Sequence, residues 1–100
     1  MTAPTLPSLL QGFFTERLVR QLQASPQTIT AYRDTIKLLL LFAAQATKKA
    51  PARLTIDDLD AVMVGAFLDH LDTERHNSTA TRNARLAAIH SLYRYALPLI

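Results

Sequence analysis

Apolar residues recur at helical spacing in four stretches of the chain, and each stretch opens on a residue suited to capping a helix. Ser8 with Gln11 three residues on predicts a capping box, followed by Leu9, Leu10, Phe13, Phe14, Leu18 and Leu22 on one face of a helix over about residues 8–23. Ser25 as N-cap and Pro26 at the first helical position predict a second helix over about 26–47, with a buried stripe of Ile29, Tyr32, Ile36, Leu39, Leu40 and Ala43. Thr55 and Asp58 form another capping box, which predicts a third helix over about 56–74 that buries Leu59, Val62, Met63, Ala66, Phe67 and Leu71. Ser78 caps a fourth helix, over about 79–97, whose inward stripe is Leu86, Ile89, Tyr93, Ala96 and Leu97 and which ends before Pro98. Lys48–Arg53 and Arg75-His76-Asn77 read as connecting turns. No stretch alternates with period two, so an all-α bundle is the predicted architecture.

Helix two has more apolar surface than a single contact face uses. Leu38, Leu41 and Phe42 point away from the Ile29/Tyr32/Ile36 stripe, so this helix is either central to its bundle or leaves a patch for a partner. One hundred residues make one domain, 1–100, with a single core. The chain has no cysteine, which excludes a disulfide framework and a thiolate metal site. Its first residues lack a basic, then apolar, leader pattern and Leu38–Ala44 is too short to span a bilayer, so a soluble cytoplasmic protein without membrane partners is expected.

The formal net charge is only +3, but it is unevenly distributed. Residues 1–53 carry seven Lys/Arg against two acids, residues 54–74 carry six acids and no base, and residues 75–100 carry four arginines and no acid. The basic parts include the starts of helices two and four. A helix start favours an anion, because its first N–H groups are free and the dipole is positive there. Thr28, Thr30, Arg33 and Lys37 sit on the first turns of helix two; Thr79, Thr81, Arg82, Asn83 and Arg85 sit on those of helix four. Hydroxyls and cations suit phosphate, while arginine and asparagine also suit guanine and adenine edges. Each has a structural alternative. Thr28 and Thr81 lie three residues after their cap serines and suit local capping; Arg33 and Lys37 suit a solvated face; Arg82 projects near the Leu86/Ile89 stripe and suits the edge of the core. The expected arrangement gathers the cationic helix openings on one side of the bundle and the carboxylates on another.

The pattern Ser25-x-x-Thr28-x-x-x-Tyr32-Arg33-Asp34, then an acidic helix with Phe67-Leu68-x-x-Leu71, then Ser78-x-x-Thr81-x-Asn83-x-Arg85-Leu86-x-x-Ile89-x-x-Leu92-Tyr93-x-Tyr95, resembles the N-terminal core-binding domain of tyrosine recombinases, the phage-type integrases and their relatives. The resemblance covers about residues 8–97. It implies a four-helix, SAM-like orthogonal bundle that clamps double-stranded DNA at a recombination half-site through helices two and four. It also implies a covalently linked catalytic domain, which would carry the tyrosine nucleophile, and further recombinase protomers in a synaptic complex. Thr28, Thr30, Arg33, Lys37, Thr79, Thr81, Arg82, Asn83 and Arg85 are the positions onto which DNA contact carries over. The sequence departs from the pattern at His90, where relatives often place a stronger cation, so a phosphate contact there would weaken as the imidazole loses its proton.

Catalysis by this chain alone is not expected, since helical spacing puts Tyr32 and Tyr93 in the core and no Arg/His/Lys constellation accompanies them. His70 and Glu74 at i and i+4 could share a metal, but His76 and His90 do not cluster with them, so neither a metal nor another cofactor is expected. The competing function is a helical protein–protein interaction bundle whose partner covers Leu38, Leu41 and Phe42.

Overall fold

The computed structural model describes residues 4–75 and 78–100; the side chains of Glu74 and Arg75, and the whole of His76 and Asn77, lie outside the description. Among the described residues there are four α-helices: α1 (Leu6–Gly12), α2 (Pro26–Thr47), α3 (Ala61–Arg75) and α4 (Thr79–Ala96). Short 3₁₀ turns at Pro51–Arg53, Ile56–Leu59 and Leu97–Leu99 link or extend them. No strand occurs among the described residues, and the expected all-α class holds.

The first predicted helix differs most. It starts at Leu6, because Thr5 and not Ser8 is the cap: the Thr5 hydroxyl accepts the Ser8 N–H at 3.3 Å. After Gly12 it widens into a π-helix over Phe13–Gln21. In a 3.6-residue turn Phe13 and Leu18, five apart, would diverge by about 140°. The i→i+5 bonding of a π-helix brings residues five apart onto one face. Both side chains are thereby fully buried, and with Ile36 and Leu92 they form one of two core clusters. Leu22, expected inside, lies beyond the π-helix and is exposed.

Helix three was expected from residue 56. The Thr55/Asp58 capping box is present, but it opens a single 3₁₀ turn. Asp60 is extended, with ψ 178°, and its carboxylate accepts the Met63 N–H at 2.8 Å, so the chain is capped a second time and α3 starts at Ala61. The break changes which residues face inward. Val62 is 81% exposed and Ala66 is also exposed, contrary to expectation, while Leu59, Phe67, Leu68 and Leu71 are buried. Helix four was expected over 79–97 and spans Thr79–Ala96; Leu97 turns into the terminal 3₁₀ segment and is exposed.

Helix α2 is the central element, packed against both α3 and α4. Leu38 and Phe42, apolar residues off its main stripe, pack against the larger core cluster built from Leu39, Ala43, Leu59, Phe67, Leu71 and Ile89. Its C-terminus closes on Lys48 in the left-handed region, with φ 58°, while the Lys48 and Lys49 N–H groups both return to the Ala44 carbonyl. The described residues form a slab of 40 × 33 × 18 Å. At 18 Å the bundle is about two helices thick, so each helix keeps a solvent-facing side.

Candidate nucleic-acid interface

The two helix openings are built alike. At α2 the Ser25 hydroxyl accepts the Thr28 N–H at 3.2 Å and donates to Thr28 Oγ1 at 3.0 Å. At α4 the Ser78 hydroxyl accepts the Thr81 N–H and donates to Thr81 Oγ1, each at 3.1 Å. Both threonines therefore serve in capping. Ser25, Pro26, Ser78 and Thr79 are exposed, so neither helix start is buried in the fold.

The second and third turns of α2 and the first two turns of α4 enclose a cleft of about 250 Å³ lined by Ala31, Tyr32, Asp34, Thr35, Thr81, Ala84 and Arg85. The small side chains of Ala31 and Ala84 leave this space open. Arg85 reaches across it and donates through Nη1 to Thr35 Oγ1 at 3.5 Å, a long contact that holds the guanidinium weakly. Arg85 Nε is shielded from solvent without a partner. Thr35 itself is only 3% exposed and gives its own proton to the Ala31 carbonyl at 3.0 Å. Sequence reading missed Thr35 as a site residue, although its spacing of seven from Thr28 places both on one helix face. It also missed Asp34, which puts a carboxylate on the cleft wall.

Thr30, Arg33 and Lys37 form a separate exposed stripe on α2, spaced three and four residues apart. At 100° per residue, Arg33 and Thr35 lie roughly 160° apart around the helix. Arg33 therefore flanks α2 on the side opposite the Arg85 contact, with its guanidinium 5.9 Å from the Phe14 ring centre. The expected gathering of all cations on one side is corrected accordingly: Arg85 and Thr81 share the cleft, while Thr30, Arg33 and Lys37 lie on the far flank of α2. Thr79 and Asn83 are exposed on α4, with Arg94 three turns beyond Asn83 on the same outward face.

Arg82 points elsewhere. Its Nε lies 2.9 Å from an Asp72 carboxylate oxygen and its Nη2 lies 3.7 Å from Asp69. The shorter contact lacks the alignment of a directed hydrogen bond, so it is an ion pair held by charge. The acidic helix, expected to lie apart from the basic openings, instead touches the start of α4.

Residues 12–98 match the family described as phage integrase, N-terminal SAM-like domain. The chain belongs to that family. Among curated proteins, this integrase domain is 49% identical over 92 residues to "Putative integrase/recombinase y4rC" and 47% identical over 90 residues to "Putative integrase/recombinase y4rD", both from Sinorhizobium fredii. The alignments cover 92% and 90% of this chain but 28% and 32% of those proteins, so the chain spans about a third of the length of its relatives. No solved structure gives a significant match.

Within the integrase domain the three tyrosines are packing residues. Tyr32 stacks on Phe13 with ring centres 6.4 Å apart, and Tyr95 tilts against the same ring at 6.0 Å. The Tyr93 hydroxyl is buried without a partner; burial, then the nearby Asp60 and Asp57 charges, push its pKa up to about 12. No cluster of metal-ligating side chains is found among the described residues, and the Glu74 side chain of the His70/Glu74 pair lies outside them. His70 tilts against Phe42 with ring centres 5.2 Å apart, and both line an apolar groove of about 520 Å³ between α2 and α3 where Leu41 remains 48% exposed. No described helix is long and apolar enough to cross a membrane.

Proposed function

We propose that this chain is the DNA-clamping part of a tyrosine recombinase, gripping a recombination half-site through the first turns of α2 and α4. The observation that carries this reading is the cleft between α2 and α4 that holds Arg85, together with the exposed, serine-capped starts of both helices. Phosphate at either opening meets free N–H groups and the positive dipole end, and Thr28 and Thr81 each keep a hydroxyl proton to donate. Arg33 and Lys37 carry a separate stretch of backbone on the other flank of α2, with Thr30 between them and the helix start, and Thr79 and Asn83 extend the contact along α4. Arg85, tethered only by a long bond, is free to turn toward phosphate or a guanine edge. Asp34 beside it suits a base amino group and disfavours phosphate, so it marks where the backbone does not run.

The reaction belongs to a catalytic domain joined to this one in the whole protein. Each domain binds weakly and the linkage raises effective concentration on one duplex, without a new contact. Further protomers assemble on neighbouring half-sites. In a competing reading the apolar groove around Leu41 docks a protein and DNA plays no part.

Salt titration separates the two readings. Contact with about five phosphates makes log K fall against log salt with a slope near −4 to −5. Arg85→Ala should lower affinity roughly tenfold, with the slope reduced by about 0.9, the value of one phosphate contact. The long Thr35 bond contributes little to folding, so thermal stability should barely move. An absence of salt-dependent binding, or an Arg85→Ala variant that binds as the parent does, overturns the proposal.

A further inference from the structure

Asp69 and Asp72 lie in the last two turns of α3, where the negative dipole end disfavours carboxylates. Arg82 lies in the first turn of α4, where the positive end disfavours a cation. Both mismatches are relieved by one contact, the 2.9 Å and 3.7 Å approaches of Arg82 to the two acids. The side chains keep access to solvent, with Arg82 39%, Asp72 41% and Asp69 80% exposed, although the Arg82 Nε that makes the shorter contact is shielded. An ion pair this wet is held weakly and exchanges readily. What surrounds it is the exposed, Ser78-capped start of α4, the very place where an incoming phosphate meets free N–H groups.

We propose that Asp69 and Asp72 act as an internal phosphate mimic. They hold Arg82 back from DNA and so set how strongly this surface takes a nonspecific duplex. The inference rests on the DNA-clamping reading. A phosphate at the α4 start competes with the two carboxylates for one guanidinium. On a random duplex, where α4 is poorly seated, the carboxylates keep it. On a half-site that seats α4 fully, the phosphate takes it. Wherever a phosphate takes Arg82, the broken ion pair is subtracted from the binding energy, so the acids lower DNA affinity without touching DNA.

The test measures binding of a random-sequence duplex by fluorescence anisotropy across a salt series. The proteins are the parent, Asp72→Asn, Asp69→Asn/Asp72→Asn, Arg82→Ala, and the double acid variant combined with Arg82→Ala. Asp57→Asn, which removes the same single charge as Asp72→Asn but from a carboxylate making no ion pair with Arg82, controls that variant for net charge. Freeing Arg82 should raise nonspecific affinity by about three- to fivefold and steepen the salt slope by about 0.9. That gain should vanish in the Arg82→Ala background and should not appear with Asp57→Asn. An unchanged affinity and slope, or an equal gain with and without Arg82, overturns the inference while leaving the clamp reading intact. No salt-dependent binding by the parent overturns both.

Discussion

Gly12 is helical, with φ −62°, so it is not required for backbone freedom; it is required for space. A Cβ at this position would collide with the Tyr95 hydroxyl and stand 3.1 Å from the ring carbon that bears it. The ring has little room to retreat, because it leans on Phe13, which is fully buried. Two effects of Gly12→Ala therefore oppose each other. Helix propensity favours alanine by about 1 kcal/mol, whereas forcing extra atoms into packed space costs about 1–3 kcal/mol. The overpacking wins, and Gly12→Ala should destabilise the chain by about 1 kcal/mol, or roughly 4–8 °C in melting temperature for a domain of this size. In a Tyr95→Phe background the oxygen is gone and the ring needs to yield only slightly. There the same Gly12→Ala change should be neutral or stabilising by up to about 1 kcal/mol, giving a coupling of about 1–2 kcal/mol between the sites. Urea denaturation of the four proteins, with constant m-values, measures both quantities. A Gly12→Ala variant more stable than the parent, or the same change in both backgrounds, would refute the account of how α4 seats against the first helix.

Tyr93→Phe should leave the chain as stable or up to about 1 kcal/mol more stable at neutral pH, since the lost hydroxyl has no partner. The raised pKa means that the parent keeps the benefit of neutral Tyr93 below about pH 10 and loses it as pH rises toward 12. Urea midpoints at pH 8, 10.5 and 11.5 should show that extra alkaline loss in the parent only. At the acid end, the Thr55 N–H, then the Lys49 ammonium, hold the Asp58 pKa below 3.8. Its contribution is present above that value and disappears as pH falls through the lowered pKa, so parent and Asp58→Asn should differ at pH 6 and converge near pH 2 in thermal melts.

Much of the fold follows from local chemistry. The Ser25, Thr55 and Ser78 caps are formed as their sequence context requires, because a cap is decided within three residues by hydroxyl, carboxylate and N–H groups already adjacent. The α2 and α4 boundaries follow from those caps and from Pro26 and Pro98. The inner faces of these helices are also largely legible, since one period suffices to place Ile36, Leu39, Ala43, Ile89 and Ala96 in the core. The family pattern could be recognised on the same residues, because capped helix starts and their spacing are properties of the chain before it folds.

Packing decided the rest. Burial of Phe13 together with Leu18 takes a π-helix, a register selected by the neighbouring Ile36 and Leu92 and invisible to an α-helical wheel. Asp60 ended one turn and capped the next helix, which rotated Val62 and Ala66 outward. At the candidate interface, residue types identified which groups could meet an anion, but only the crossing of α2 and α4 joined Arg85 to Thr35 and so decided which flank of α2 faces the cleft. Arg82 shows the reason most plainly. A charge is available to a ligand only if no nearer partner holds it, and its partners, Asp69 and Asp72, come from a different helix.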